Sequence, residues 1–265
     1  MLLTRILTAI VGVPIVFLCI FLGNMPFYLM MSVVSFFCVY EYLNISKKYN
    51  PHVLISLVMA VLFFVFLQFF NNFPANKVSF SAIVILLVLF VKEIFGENPK
   101  FAVERVAVSF LGAFFIPLSL MHMVYLRNLY GGMEIIFFIF LVVWVLDTAA
   151  YAFGFMFGKH KLVEHISPKK TVEGATTGVV FGLLTAVICR TMFMSDILSM
   201  RDCIVLGFVI SIVGQFSDLA ESLIKRDGDI KDSGKTIPGH GGFFDRFDSY
   251  IFAAPALYYV LKFLE

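Results

Sequence analysis

A polar stretch near the C-terminal end of the chain carries residue types that bind metal ions and phosphate groups. It extends from Gln215 to Asp248 and lies between two hydrophobic segments. Residues 225–248 include five lysines or arginines and five aspartates. Carboxylates are ligands of hard cations such as Mg²⁺, and lysine and arginine form charge-assisted hydrogen bonds with phosphate oxygens. The composition of this stretch therefore predicts a combined metal and phosphate site.

The first part of this stretch has helical spacing. Ser222 lies four residues after Asp218 and Lys225 seven residues after it, so a helix places all three on one face. At the rise of an α-helix, about 10 Å separates Asp218 from Lys225 along the axis. This spacing predicts a carboxylate below a basic rim, at a depth suited to a cation that holds nucleotide phosphates. Glu221 lies nearer the rim and is either a further ligand or an interfacial charge.

The second part combines a glycine-rich turn with two more carboxylates. Residues 238–242 read Pro-Gly-His-Gly-Gly, which predicts a turn where the backbone approaches a ligand closely. Asp245 and Asp248 are three residues apart and share a face if a helix begins there. Asp227, in the preceding charged run, is interpreted as a solvated surface residue.

Asp147 lies inside another apolar segment that is predicted to be helical. An aspartate at the centre of a membrane-spanning helix costs about 2.5–3.5 kcal/mol, so Asp147 is predicted to be functional, with Tyr151 on the same face. The alternative is an ion pair between Asp147 and Lys159 that locks two helices together. Gly154–Lys159 lacks the spacing and the hydroxyl of a P-loop, and its glycines are predicted to allow close helix packing.

A shorter polar segment follows this helix. Residues 167–174 read Ser-Pro-Lys-Lys-Thr-Val-Glu-Gly. Two lysines beside a hydroxyl group and a proline predict a phosphate-binding turn, and Thr171 is a predicted N-cap of the next helix. The alternative is that Lys169 and Lys170 are ordinary cytosolic anchors of a membrane helix.

The composition identifies the environment in which these residues must be positioned. Hydrophobic residues make up 60% of the chain, the mean hydropathy is +0.95, and only 14% of the residues are charged. Soluble domains have about 25% charged residues, so the chain is predicted to be an integral membrane protein. No basic surface of the kind that binds nucleic acid is predicted, and the four scattered cysteines have no metal-site spacing.

Hydropathy predicts an all-α, polytopic membrane protein with about nine transmembrane helices, eight and ten being the alternatives. The predicted helices lie near residues 6–22, 27–44, 53–70, 79–91, 106–126, 135–156, 175–190, 203–224 and 250–264. Residues 1–134 are interpreted as a transmembrane scaffold, with Glu41 reaching the interface and His122 packed. Residues 135–265 are interpreted as a catalytic region with two cytosolic loops that carry the motifs, residues 157–174 and 225–248.

The distribution of basic residues predicts the topology. With nine spans, fifteen of the 20 lysines and arginines fall in loops on one side. Basic residues are enriched in cytoplasmic loops. The N-terminus and the loops 157–174 and 225–248 are therefore predicted to face the cytosol. The protein is predicted to be a multi-pass protein of the cell (inner or plasma) membrane.

The run from Ser222 to Asp248 closely resembles the signature of phosphatidate cytidylyltransferases, also called CDP-diacylglycerol synthases. The positions that carry this resemblance are Ser222, Lys225, Arg226, Lys231, Asp232, Pro238, His240, Gly241, Gly242, Asp245, Arg246 and Asp248. The segment 167–174 and the helix that contains Asp147 and Tyr151 are also similar to the family. The resemblance covers about residues 140–265.

This resemblance implies that the enzyme transfers cytidylate from CTP to phosphatidic acid, giving CDP-diacylglycerol and pyrophosphate. It also implies Mg²⁺ as a cofactor, K⁺ as a second cation, and a homodimer in the lipid bilayer. It assigns Asp218 and Asp245 as metal ligands and adds Asp248 and Lys225 to the catalytic set. The implied substrate-binding residues are Asp147, Tyr151, Ser167, Lys170, Glu173, Ser222, Arg226, Lys231, Asp232, His240, Gly241, Gly242 and Arg246.

Three other functions are weighed against this one. A CTP-dependent polyprenol or dolichol kinase has a similar membrane site and differs in which phosphate of CTP it transfers. An intramembrane acid such as Asp147 is typical of an ion-coupled transporter. A transporter, however, is expected to have polar residues at mid-depth in several helices. Here the polar residues gather at one end. A CDP-alcohol phosphatidyltransferase is disfavoured because its Asp-Gly-x-x-Ala-Arg run is absent.

Overall fold

The computed structural model describes residues 2–70, 74–234, 236–239 and 241–264, with the backbone alone for residues 2–7 and 9. The chain forms two compact units. The first contains Met1–Tyr125 and Ile224–Phe247, and the second contains Leu126–Leu223 and Asp248–Glu265. Most of the loop 225–248 therefore packs with the N-terminal helices. The functional division at residues 134 and 135 stays a prediction.

The first unit is helical, and its helices are interrupted where the backbone adopts left-handed conformations. Gly23 (φ 61°) precedes the second helix, and Asn50 (φ 51°) ends a short 3₁₀ turn before the third. The helices are α1 Leu2–Leu22, α2 Asn24–Ile45, α3 Val53–Gln68, α4 Ala75–Ile94, α5 Ala102–Phe110 and α6 Ile116–Arg127, the last two residues of α6 belonging to the second unit. A π-helical turn, Leu111–Phe115, joins the last two helices of this unit, α5 and α6, into one continuous helical segment.

Aromatic side chains and one glycine bring α2, α3 and the π-helical turn together. The rings of Phe63 and Phe114 are stacked with centroids 5.0 Å apart. A Cβ atom at Gly112 would lie 3.2 Å from the side chains of Tyr42 and Leu43. Because Gly112 has no side chain, the π-helical turn can approach α2 closely at the point where α2 carries Glu41.

A half-buried ionic network ties together the ends of three helices in the same unit. Glu93 of α4 accepts hydrogen bonds from Arg105 Nε and Nη2 at 2.8 and 2.6 Å. His52, just before α3, bonds to the same carboxylate through Nε2 at 2.6 Å. The Glu93 side chain is 7% exposed. The sequence spacing did not predict this contact, since the three residues lie in different segments.

The second unit contains four long helices and one β-hairpin. The strands β1 (Lys161–Val163) and β2 (Ser167–Thr171) pair antiparallel, with Lys161 opposite Thr171 and Val163 opposite Ser167. The helices are α7 Gly132–Phe157, α8 Val172–Met192, α9 Met200–Asp227 and α10 Phe244–Leu264. The last few residues of α9 and the first of α10 belong to the first unit.

Small residues allow the helices of the second unit to approach closely. A Cβ atom at Gly174 would lie 2.5 Å from the carbonyl oxygen of Ala150, and one at Gly154 would lie 3.5 Å from Gly174 Cα. A Cβ atom at Gly207 would lie 2.5 Å from the Ala186 side chain. The packing role predicted for Gly154 is confirmed, as small residues let membrane helices pack backbone to backbone.

The predicted fold class is confirmed: the chain is a helical, multi-pass membrane protein. Each of the nine predicted helices overlaps a long helix of the described residues. Five of these are long and apolar enough to cross a membrane, and two shorter apolar segments, Ile10–Leu22 and Val53–Gln68, are also present there. The hairpin was missed because its strands are short and polar and one contains Pro168.

The packing at Gly207 yields a test of the fold. Gly207→Ala adds a methyl group where the Ala186 side chain already lies, and overpacking of this kind costs about 1–3 kcal/mol. Gly12→Ala is the matched control, because nothing lies within 4 Å of a Cβ atom there. Thermal unfolding of the purified variants in detergent should show a lower melting temperature for Gly207→Ala alone. Equal melting temperatures would contradict the close α8–α9 contact.

Candidate active site

Three carboxylates from α9 and α10 lie together in the second unit. One oxygen each of Asp218, Glu221 and Asp248 lie within 4.8 Å of one another. Glu221 is 2% exposed, and the other two residues are half-buried. We call these residues the acidic cluster. The spacing of Asp218 and Glu221 places both on one side of α9, and the position of Asp248 depends on how α10 packs against α9.

Ser217 fixes that packing. Its hydroxyl group donates to the carbonyl oxygen of Asp248 and accepts a hydrogen bond from the Phe252 amide at 3.2 Å. Ser217 is 2% exposed. Gly214, one turn earlier in α9, faces Ser249, because a Cβ atom there would lie 3.9 Å from the Ser249 backbone. The side chain next to Asp218 thus sets the position of Asp248, and the sequence reasoning did not identify Ser217 in this role.

A cavity of about 690 Å³ adjoins Asp218. Lys170, from β2, forms an ion pair with Asp218 at an Nζ–Oδ2 distance of 2.5 Å. Both side chains are slightly under one third exposed. The structure therefore brings together two residues that the sequence predicted separately. The cavity is also lined by Asp147, Tyr151, Gly154, Phe155, Lys161, Lys169, Thr171 and Gln215.

The β-hairpin is held in place by the first turn of α8. Thr171 caps this helix, since its hydroxyl oxygen accepts the Gly174 amide at 3.1 Å, which confirms the predicted N-cap. The Glu173 carboxylate accepts the backbone amides of Lys159 and His160, at distances from 3.1 to 3.3 Å. Glu173 is thus an acceptor for the start of the hairpin in this structure. Its predicted part in substrate binding, like that of Ser167 in β2, stays a prediction.

A second set of polar residues lies in the first unit, around Asp245 at the start of α10. Lys225 Nζ lies 3.0 Å from Asp245 Oδ1. The amides of Ser233 and Gly242 donate to the same carboxylate at 3.1 and 3.0 Å. Gly241 has φ +85°, and a Cβ atom there would lie 2.8 Å from Asp245 Oδ2. Gly241 and Gly242 of the glycine-rich turn thus bring their backbone close to a carboxylate of the protein itself.

Glu41 of α2 is another residue of this region whose contacts the sequence reasoning missed. It was expected to reach the interface, but it is 1% exposed and bonded to the described part of the segment between α9 and α10. We call this part, residues 228–234, 236–239 and 241–243, the motif loop. Ser233 and Thr236 donate hydroxyl groups to its carboxylate, and the amides of Phe243 and Phe244 donate to it as well. An acid inside an apolar helix is the signal that could have identified it.

The remaining predicted residues are found as follows. Ser222 is half-buried in α9, while Arg226, Lys231, Asp232 and Arg246 are exposed. Arg226 donates to the carbonyl oxygen of Ile230 at 3.3 Å. His240 lies outside the described residues. The substrate-binding roles predicted for all of these residues stay predictions.

Asp227, interpreted from the sequence as a solvated charge, makes surface contacts. Lys48 Nζ lies 2.8 Å and the Tyr49 hydroxyl group 3.1 Å from its Oδ1 atom. Both charged side chains are close to half exposed, 43% for Lys48 and 48% for Asp227. The hydrogen bond to Asp227 raises the pKa of the Lys48 ammonium group. Solvent screens such a pair strongly, so it adds little to stability.

The fold and these sites indicate the class of protein. The chain is an integral membrane protein that holds Lys170 against Asp218 beside a cavity lined by two further lysines, an arrangement suited to phosphorylated ligands. It belongs to the cytidylyltransferase family, whose model matches residues 3–264. The family predicted from the signature residues is thereby confirmed, and the match extends over nearly the whole chain. Membership makes the protein a nucleotidyltransferase.

Individual relatives show the same similarity. The chain is 34% identical over 263 residues to the phosphatidate cytidylyltransferase of Bacillus subtilis, which covers 97% of this chain and 96% of that protein. It is 33% identical over 255 residues to the enzyme of that name from Staphylococcus saprophyticus, with 96% of each covered. A Staphylococcus epidermidis phosphatidate cytidylyltransferase is 38% identical over 158 residues, 60% of each protein.

Two lysine–aspartate pairs of similar length but different burial allow a test of the first unit. In the Lys225–Asp245 pair the side chains are 16% and 12% exposed. Lys225→Met leaves that carboxylate without its ammonium partner, which should lower the free energy of unfolding by about 1–3 kcal/mol. Lys48→Met, at the exposed pair with Asp227, should change little because solvent screens that charge. Melting temperatures in detergent measure both, and equal losses would contradict the described burial.

Proposed function

We propose that this protein transfers the cytidylyl group of CTP to phosphatidic acid, giving CDP-diacylglycerol and pyrophosphate. The observation that carries the proposal is the Lys170–Asp218 pair at the cavity, beside the acidic cluster, in a chain similar throughout its length to phosphatidate cytidylyltransferases. The cavity offers lysine side chains that can bind phosphate groups, and it holds the Asp218 carboxylate beside them. A nucleoside triphosphate and a lipid phosphate are both anionic, so their encounter requires such compensation.

The reaction is a substitution at phosphorus. A phosphate oxygen of phosphatidate attacks the α-phosphorus of CTP, and the bond from that phosphorus to the bridging oxygen of the β-phosphate breaks. Pyrophosphate leaves with the electron pair of the broken bond. Because phosphatidate is already ionised at neutral pH, no general base has to remove a proton. Reactions of this type depend mainly on the positioning of the phosphates and on neutralising their charge.

The lysines of the hairpin are assigned to phosphate binding. Lys161, Lys169 and Lys170 all line the cavity. Lys161 donates to the carbonyl oxygen of Pro168 at 2.7 Å, which orders the turn. Lys170 is paired with Asp218, so an incoming phosphate can exchange with that carboxylate as its partner. This assignment favours phosphate binding over membrane anchoring for Lys170.

The residues of the acidic cluster fit a divalent cation. Three carboxylates within 4.8 Å of one another repel each other, and Glu221 is buried. Oxygen donors of this kind suit Mg²⁺, which is held by a few carboxylates and by substrate phosphates. When bound, the cation would neutralise charge on the phosphate oxygens. Asp218 is thus proposed as a ligand, and Glu221 and Asp248 are added.

Several finer predictions are part of the proposal. Asp245 is kept as a predicted metal ligand on the strength of the family signature, although its carboxylate is bonded to Lys225, Ser233 and Gly242 in this structure. K⁺ as a second cation and a homodimer are likewise kept from the resemblance alone. A location in the cell membrane, with the loops 157–174 and 225–248 in the cytosol, is proposed from the distribution of basic residues. This orientation suits access to CTP.

The lipid substrate has a route to the cavity that follows from exposure. Tyr151 and Phe155 line the cavity, and they are 76% and 83% exposed. Both belong to α7, which is long and apolar enough to cross a membrane. Large apolar side chains exposed on such a helix face lipid. Phosphatidate is therefore proposed to approach past this face of α7, with its phosphate group toward Lys170.

The acidic cluster provides the experimental test. Asp218→Asn and Glu221→Gln keep the side-chain size but remove one charge each, and each should lower turnover by about 10²–10³-fold. Asp227→Asn, in the same helix but paired with Lys48 at the surface, is the control and should stay within about twofold of the wild type. The measurement is CDP-diacylglycerol formation from CTP and phosphatidate by purified protein at several Mg²⁺ concentrations.

The outcomes separate the assignments. A raised Mg²⁺ requirement in Glu221→Gln supports the role of Glu221 as a ligand. An unchanged requirement supports the alternative, in which Glu221 is an interfacial charge. If Asp218→Asn keeps a large share of its activity at the wild-type Mg²⁺ requirement, the metal assignment is wrong. Asp147, which lines the same cavity, is then the next candidate.

A further inference from the structure

Glu41 has a feature that the proposed reaction does not use. Its carboxylate is buried in the first unit at the C-terminal part of α2, and four neutral donors surround it. Oε1 accepts the Phe243 amide at 3.1 Å and the Thr236 hydroxyl group. Oε2 accepts the Phe244 amide at 2.8 Å and the Ser233 hydroxyl group at 2.9 Å. All four donors come from the motif loop or the first residue of α10.

The number of these contacts matches the capacity of an ionised carboxylate. Two oxygens offer about four acceptor sites, and each oxygen here takes one backbone amide and one hydroxyl group. A backbone amide can only donate, so each oxygen must be an acceptor. The ionised form of Glu41 therefore satisfies all four donors, and hydrogen bonds to a charged group are stronger than those between neutral groups.

The motif loop is shaped to admit this carboxylate. A Cβ atom at Gly242 would lie 2.1 Å from Glu41 Oε2 and 2.1 Å from Ser233 Oγ. A Cβ atom at Gly234 would lie 2.8 Å from Glu41 Oε1. Only glycine fits at these two positions without moving the carboxylate. This gives Gly242 a packing reason for its identity, in addition to the substrate contact predicted from the sequence.

The contact continues from Glu41 to residues of the predicted catalytic set. Ser233 donates its hydroxyl group to Glu41 and its backbone amide to Asp245. Gly242 packs against Glu41 and donates its own amide to Asp245 at 3.0 Å. Asp245 in turn holds Lys225. The position of Glu41 is thus transmitted to Asp245 and Lys225 through two residues of the loop.

We propose that Glu41 is a positioning residue of the transfer reaction, which orders the motif loop so that Asp245 and Lys225 are held for catalysis. The proposal rests on the proposed function for the identity of the reaction. The ordering of the loop by Glu41 does not rest on it. Glu41 is assigned no contact with substrate, and its effect is exerted through Ser233 and Gly242.

The sharpest variant is Glu41→Gln. Glutamine has nearly the same size, but its amide group is a donor and must face one of the two backbone amides at Phe243 and Phe244. One of these N–H groups then loses its acceptor. Glu97→Gln, at an exposed residue between α4 and α5, is the matched control. Both variants are compared as full-length protein in lipid nanodiscs.

Two measurements are combined. Hydrogen–deuterium exchange at the Phe243 and Phe244 amides should become about tenfold faster or more in Glu41→Gln, while exchange in residues 56–67 of α3 stays slow. Steady-state kinetics should show about a tenfold or greater fall in kcat, since Asp245 and Lys225 are no longer held. A purely structural role would instead speed exchange throughout the unit and leave the kinetics of the folded fraction unchanged.

A second variant keeps the proposal testable if Glu41→Gln fails to accumulate. Ser233→Ala removes one donor and leaves Glu41 with three, so it should reproduce the faster exchange and the lower kcat to a smaller degree. Where both single variants fold, the double variant should be little worse than Glu41→Gln alone, because residues acting as a unit are non-additive. Effects that multiply would contradict a path through Ser233.

The outcomes for the two proposals can be distinguished. Unchanged exchange at Phe243 and Phe244 in Glu41→Gln overturns the ordering role, whatever the activity. Faster exchange with wild-type kcat overturns the positioning role. If the wild-type protein forms no CDP-diacylglycerol, the proposed function fails, and the exchange experiment still decides whether Glu41 orders the loop.

Discussion

The structure depends on how the negative charges of its partly or fully buried carboxylates are compensated. These carboxylates lie in an apolar helical protein, where water is excluded. Burying an ionised group is costly unless it is paired and hydrogen-bonded. Glu41 meets this requirement with four neutral donors, Asp245 with a lysine and two amides, and Asp218 with Lys170. Apart from Lys225 of α9 and the Phe244 amide of α10, these donors come from the segments between the helices. The motif loop and the hairpin are therefore ordered by the acids that they cover.

The forms of compensation suit different tasks. Backbone amides around Glu41 are fixed in the chain, so they hold the loop in one arrangement. Lys170 has a long and flexible side chain and stands beside a cavity, so it can leave Asp218 for a substrate phosphate. The acidic cluster concentrates negative charge, which suits the divalent cation of the proposed reaction. The proposed enzyme thus combines rigid support with exchangeable charges where the substrates bind.

Much of the fold follows from the sequence, because long apolar segments must form helices in a membrane. The Thr171 cap also follows from local sequence. The hairpin does not, since its strands are too short and polar for periodicity to identify them. The contacts Lys170–Asp218 and Ser217–Asp248 were also beyond prediction, as they join segments whose packing no local spacing encodes.

The candidate site was predicted in part for the same reason. The residue types at Asp218, Lys225 and Asp245 pointed to metal and phosphate chemistry. Glu41 lies far from them in the sequence, near the end of its helix, where an acid is ordinarily solvated. The rule that singled out Asp147, an acid inside an apolar helix, applies to Glu41 as well. Only the structure shows that the motif loop covers it.

The central claim is that the cytidylyl group, with the α-phosphate of CTP, is what the protein transfers. The most direct measurement uses two preparations of CTP, one labelled at the α-phosphate and one at the γ-phosphate. Each is incubated with the purified protein, Mg²⁺ and a lipid mixture that contains both phosphatidate and polyprenol. The account predicts that label from the α-phosphate enters the lipid and label from the γ-phosphate is released as pyrophosphate. Label from the γ-phosphate in the lipid would show a CTP-dependent kinase and contradict the account.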